Sequence, residues 1–178
     1  MASDHFFSAE QLSWLGRILL AQCVSVFLIF MNVISFSIPY AGEVRPFFVL
    51  MAIYYWAIYR PTLIPPVLTF IIGVLLDLLA GFPVGLHAIL FLILQWAVSD
   101  NRVFLMGQPY SMVWLGFGLT CVGFVFLEGL FFLAYIGGLP SLQVVLSSIA
   151  LSVLLFPLIT LLFIAAHRIL PTTLKTLH

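Results

Sequence analysis

The sequence predicts an all-α integral membrane protein, a six-helix transmembrane bundle with both termini in the cytoplasm. Three observations carry that expectation. Hydrophobic residues make up 64% of the 178 residues and charged residues only 7%, whereas a soluble domain carries about 25% charged residues. Long apolar runs recur along the chain, separated by short turns rich in proline and glycine. Five of the six basic residues fall on one side of the alternating topology that these runs imply. So few charges cannot cover a water-facing surface, and lipid must act as the solvent for most of the chain. Mean hydropathy is +1.27, and a single transmembrane domain over 1–178 is expected.

The first span is expected over 9–38. Ser8-Ala9-Glu10-Gln11 has the form of a capping box, and Trp14 and Arg17 suit a membrane interface. Pro39 to Glu43 reads as a polar turn. The second span, 46–59, starts at Pro46, where proline is tolerated, and stops before Pro61. It is short against the roughly 20 residues a bilayer needs. The third span covers 64–80, with Pro65 and Pro66 in its first turn. Gly81-Phe82-Pro83-Val84-Gly85 is a tight turn into the fourth span, 86–98. Ser99 to Gln108 reads as a polar connection. The fifth span covers 111–136 and the sixth 142–170, with Pro157 placed to kink it.

Orientation follows from the basic residues. With the N-terminus inside, Arg17, Arg60, Arg102, Arg168 and Lys175 are cytoplasmic and only Arg45 is outside. The N-terminus, with Asp4 and Glu10, does not read as a cleaved signal. Cys23 and Cys121 lie in apolar runs and read as packing residues. Net charge is zero, so there is no basic surface for nucleic acid.

Ionisable groups at membrane depth mark functional positions. Asp77, His87 and Glu128 all lie toward the outer half of their helices and could form a polar cluster with Arg45. The simpler reading is that each one hydrogen-bonds a helix end. Gly73, Asp77 and Gly81 recur every four residues and share one helix face. Glycines there admit a close backbone, and the carboxylate must find donors. The expected donors are backbone N–H groups at the start of the fourth span, the His87 ring and Arg45. Asp77 is thus expected to clamp the Gly81–Gly85 turn.

Gln22, Ser25 and Asn32 lie within about a quarter-turn of one another on the first span and form a polar arc. It serves either internal packing or docking of another chain's helix. Gly116, Thr120 and Gly123, with Ser148 and Ser152, form small-residue stripes that admit close helix approach. Tyr54, Tyr55, Trp56 and Tyr59 read as an interfacial aromatic belt or a partner surface. No zinc-protease, nucleophile-elbow or phosphate-loop motif is present, and His5, His87, His167 and His178 are scattered, so neither catalysis, metal nor cofactor is expected.

Arg45-Pro46, Tyr55-Trp56, Arg60-Pro61 and the string Gly73-x-x-x-Asp77-x-x-x-Gly81-x-Pro83-x-Gly85-Leu86-His87-Ala88 resemble the rod-shape-determining protein MreD family of bacteria. The motif covers roughly a quarter of the chain, and the hydrophobic layout matches across nearly all of it. The resemblance implies a non-enzymatic subunit of the bacterial inner (cytoplasmic) membrane within the cell-elongation machinery. It implies association with the single-span scaffold protein MreC, beside a peptidoglycan polymerase and its transpeptidase, with an indirect link to the filament protein MreB. It also implies a core like the membrane subunit of energy-coupling-factor transporters. Gly73, Asp77, Gly81, Pro83, Gly85, His87, Arg45 and Glu128 are expected to form a structural turn and polar cluster. Candidate partner contacts are Gln22, Ser25, Asn32, Trp56, Arg60 and Pro61. The alternative function is capture of a small, vitamin-like solute in an outward-facing pocket lined by Asp77, His87 and Glu128.

Overall fold

The computed structural model describes residues 36–38, 42–135, 137–138 and 141–169. Nearly all of the first expected span, with Gln22, Ser25 and Asn32, lies outside the described residues, as does the C-terminal tail. The described chain forms a short hairpin of β1 (Phe36–Ile38) and β2 (Gly42–Val44), then six helices. These are α1 (Phe48–Tyr59), α2 (Pro66–Ala80), α3 (Leu86–Asp100), α4 (Arg102–Met106), α5 (Tyr110–Tyr135) and α6 (Leu142–Ile169).

The hairpin corrects the expected end of the first span. Phe36–Ile38 is an extended strand, antiparallel to β2, with Phe36 opposite Val44 and Ile38 opposite Gly42. The β-branched Ile38 and Val44 favour a strand pair over a last helical turn. β2 lies against α6, so the pair sits on protein.

After β2, the serines of α6 receive the chain. The backbone N–H of Arg45 donates to Ser148 Oγ at 3.4 Å, and that of Phe47 donates to Ser152 Oγ at 2.9 Å. Ser152 in turn donates to the Ser148 carbonyl at 2.6 Å. The two serines therefore accept bonds from irregular backbone inside this bundle.

Helix α1 has only 12 residues, and every one from Phe48 to Ile58 is buried. At 1.5 Å per residue it is about 18 Å long, well short of a bilayer core. It can be short because protein surrounds it, and protein can satisfy irregular backbone at its ends. The aromatic run is correspondingly core, which corrects both readings of Tyr54, Tyr55 and Trp56. They are 2%, 3% and 1% exposed. Tyr55 stacks on Phe163 at 4.8 Å, and Tyr54 meets Phe117 and Phe156 edge-on. Phe117 and Phe156 themselves stack at 4.2 Å, joining α5 to α6.

The expected polar connection at 99–108 is instead the last turn of α3 followed by α4. Leu105 packs on the core while Val103, Phe104 and Met106 point outward. Gln95 Nε2 donates to the Ile64 carbonyl at 2.7 Å and so ties α3 to the chain entering α2.

Helices α5 and α6 are long and apolar enough to cross a membrane. Their outward faces carry Leu115, Leu119, Val122, Leu154 and Leu158. Helix α6 runs through Pro157 without a break. The exposed apolar faces and two crossing helices describe a helical membrane protein whose core is built around α1.

Candidate functional site: the Asp77 clamp and the adjoining cavity

Helices α2 and α3 meet because Gly73 has no side chain. A Cβ placed there would lie 2.3 Å from the Ala88 Cα and 2.4 Å from its nitrogen. Backbone touches backbone at that level, as the glycine spacing on α2 anticipates. One turn further on, Asp77 is fully buried.

The turn is built to deliver donors to Asp77. Gly81 closes α2 in a left-handed conformation, φ 73°. The N–H of Phe82 then bonds the Asp77 carbonyl at 3.0 Å, the six-residue closure of a Schellman cap. Pro83 supplies the carbonyl that accepts the Leu86 N–H at 3.2 Å. Gly85, φ 100°, is the second left-handed residue and sits immediately before α3.

Reversed by those two glycines, the start of α3 points its N–H groups back at α2. Gly85 N–H donates to Asp77 Oδ2 at 2.8 Å, and His87 N–H reaches both carboxylate oxygens at 3.2 Å. His87 Nδ1 lies 2.6 Å from Oδ1. A carboxylate at a helix N-terminus faces partial positive charge and unpaired donors. Of the three expected donor sets, backbone and imidazole hold Asp77, while Arg45 stands instead at the adjoining cavity.

That cavity has a volume of about 380 Å³. Arg45, His87, Glu128 and Ser148 supply its polar wall, and Phe47, Phe82, Phe91, Phe124 and Phe132 much of its apolar wall. His87 Nε2 and Glu128 Oε1 are 3.8 Å apart across it. Asp77 stands behind His87 and does not line the cavity. The structure thus brings Arg45, His87 and Glu128 to one cavity and places Gly73, Asp77, Gly81, Pro83 and Gly85 in the clamp beside it.

Trp56, Arg60 and Pro61 lie at the other end of α1. Trp56 is buried; Arg60 caps the helix with its N–H on the Trp56 carbonyl at 2.8 Å, and Arg60 and Pro61 are half-buried. The small-residue stripe of α5 divides. Gly116 faces α1, where a Cβ would meet the Tyr54 hydroxyl at 2.6 Å, while Gly123 has open space beside it. Sequence reasoning missed the bonds of Gln95 and Trp114. Their signal was a polar atom at membrane depth, which must find a partner. Among the described residues, no group of three His, Cys, Asp or Glu side chains is placed to hold a metal ion.

The fold and clamp define a small helical membrane protein whose one buried carboxylate clamp organises a helix-turn-helix. The family model for rod shape-determining protein MreD matches residues 13–166, and the chain belongs to that family. It is therefore a rod-shape-determining membrane protein. No curated protein and no solved structure matches the chain.

Proposed function

We propose that this chain is a non-enzymatic, multi-pass scaffold subunit of the bacterial inner membrane, serving the cell-elongation machinery. Family membership is the observation that carries the reading. In this proposal six spans, the expected first one over 9–38 and those built on α1, α2, α3, α5 and α6, cross the bilayer with both termini cytoplasmic, in a bundle like the membrane subunit of energy-coupling-factor transporters. The principal partner is MreC, held through its transmembrane helix. The peptidoglycan polymerase, its transpeptidase and MreB are reached through the assembled complex.

The architecture supports a holding role. Helix α1 is locked in a buried aromatic core, and α2 is locked to α3 by the Gly73 contact and the Asp77 clamp. A rigid body of this kind presents fixed faces, so a partner helix meets preorganised surface and loses less freedom on binding. The arc Gln22, Ser25 and Asn32 is a secondary candidate surface, and Arg60 and Pro61, after α1, are partly exposed candidate contacts.

The test is co-purification of the tagged chain with MreC from membranes, with photo-crosslinkers at Gln22, Ser25 and Asn32. Stoichiometric recovery of MreC is expected. A chain that purifies intact and free of MreC under conditions that keep the membrane complex together would sink the scaffold reading. Crosslinks only elsewhere would reject the arc and keep the complex.

A further inference from the structure

We propose that the α2–α3 flank is a lipid-contact surface matched to short acyl chains, so that the chain thins the bilayer on one side of itself. This role rests on the six-span reading, in which α2 and α3 cross the membrane.

Helices α2 and α3 have 15 residues each, whereas α5 has 26 and α6 has 28. At 1.5 Å per residue the first pair is about 22 Å long and the second about 40 Å. A bilayer core is about 30 Å thick. Tilting brings a long helix into register with that core, but it only shortens the reach of a short one.

The short pair cannot lengthen. Pro65 and Pro66 begin α2, and Gly81 ends it in the left-handed conformation. Gly85 opens α3, and Asn101 closes it with its side-chain Nδ2 donating to the Ala97 carbonyl at 2.9 Å. The Gly73–Ala88 contact and the Asp77 clamp lock the two helices level with each other. They meet the bilayer as one unit of fixed height.

That unit faces lipid. Val67, Phe70, Ile71, Leu75, Leu78 and Leu79 of α2 are exposed, as are Ile89, Ile93 and Trp96 of α3. Interfaces between membrane helices favour small residues, and the small residues Thr69 and Gly73 of α2 are turned inward instead. Acyl chains are thus the occupant that this surface fits. Neither helix carries a basic residue in its last turn, so no long cation there reaches out to a distant headgroup layer. The nearest cations on the cytoplasmic side, Arg60 and Arg102, lie beyond the helix ends and are half-buried.

Trp96, 72% exposed, stands one turn before the end of α3. An exposed indole sits at the headgroup level, which places the cytoplasmic boundary inside the helix rather than beyond it. Helix α4, with Val103, Phe104 and Met106 exposed, folds back against α1 and sets Leu105 beside Gly116. It adds apolar cover at that boundary without adding height. On α5 the exposed apolar residues run from Met112 to Leu133, a rise of roughly 32 Å that matches an ordinary core. One flank of the molecule is therefore tall and the other short.

The test uses the full chain in dioleoylphosphatidylcholine bilayers. Brominated phosphatidylcholines of three chain lengths, dimyristoleoyl, dioleoyl and dierucoyl, serve as tryptophan quenchers. Emission from the short flank is the part lost in Trp96→Phe and the part gained in Ile71→Trp. Emission from the tall flank is the part gained in Leu119→Trp. On the short flank the dimyristoleoyl lipid should bind at least about two-fold more tightly than the dierucoyl lipid. On the tall flank that preference should be absent or reversed. The same chain-length preference at Ile71 and Leu119 would overturn the proposal, as would equal quenching by all three lipids at Ile71 and Trp96. Quenching at Ile71 by none of them would overturn it too, by showing the face covered by protein or outside the bilayer. The six-span reading is judged separately. Val84→Cys should react with a membrane-impermeant thiol reagent from the outer side only, whatever the lipid, with the parent chain as blank.

Discussion

The indole N–H of Trp114 on α5 donates to the carbonyl of Val153 on α6 at 2.8 Å. Val153 stands four residues before Pro157, and proline has no N–H to give that carbonyl. In a helix facing lipid, an unpaired carbonyl has no water to turn to. The neighbouring helix supplies the missing donor. Trp114→Phe should therefore destabilise the bundle by roughly 1–3 kcal/mol. Pro157→Ala restores the internal donor, so the Trp114 substitution should cost much less in that background. A double-mutant cycle on detergent-unfolding midpoints measures the coupling; strictly additive effects would break the link.

Gly116 and Tyr54 make a second testable pair. The Tyr54 hydroxyl donates to the Val113 carbonyl at 2.9 Å and occupies the place a Cβ at residue 116 would need, 2.6 Å away. Gly116→Ala should cost on the order of 1–3 kcal/mol through overpacking. Tyr54→Phe removes the obstructing oxygen and should recover part of that loss. Thermal melts of the two single variants and the double variant decide it, and no recovery in the double variant would show that the strain lies elsewhere.

Asp77 gives a graded prediction. Asp77→Asn keeps one oxygen acceptor, whose two lone pairs can serve the Gly85 and His87 N–H groups, and should be mild. Asp77→Leu leaves those buried donors unpaired and should lose roughly 1–3 kcal/mol. Recovery of MreC should fall in parallel, because the clamp fixes α2 against α3. An Asp77→Leu protein as stable and partner-competent as the parent would refute the clamp's importance.

At Gly73 the neighbour is the Ala88 backbone, 2.3 Å from an added Cβ, and no rotamer change can relieve that. Gly73→Ala should thus push α2 off α3. Spin labels or fluorophores placed on the two helices should report a separation increased by about 1 Å or more, since backbone must move to restore ordinary contact distance. An unchanged spacing with unchanged stability would contradict the close contact.

Orientation is checked independently. Reporter fusions after His178 and within the Gly138 turn should report opposite sides of the membrane, with His178 cytoplasmic, as the basic residues dictate. The same side for both would overturn the proposed six-span topology.

Much of this molecule was legible in the chain itself. Scarcity of charge makes lipid the solvent, and proline and glycine positions set the ends of α2, α3, α5 and α6 within about two residues. The Gly73, Asp77, Gly81 spacing anticipated a close helix contact with a carboxylate on it, because four-residue steps return to one helix face. Hydropathy could not separate α1 from its neighbours. A helix enclosed by protein and a helix facing lipid are both apolar all round, so only packing shows that Tyr54 and Trp56 are core. The chain between β2 and α1 was hidden for the same reason, since the Arg45 and Phe47 N–H groups find their acceptors on Ser148 and Ser152, more than a hundred positions away. Residue type and membrane depth determine which side chains must bond something. Tertiary structure decided which partner served: His87 and the α3 backbone rather than Arg45 for Asp77, and the Val153 carbonyl for Trp114. A buried polar atom's need is local, but the atom that meets it arrives from another helix.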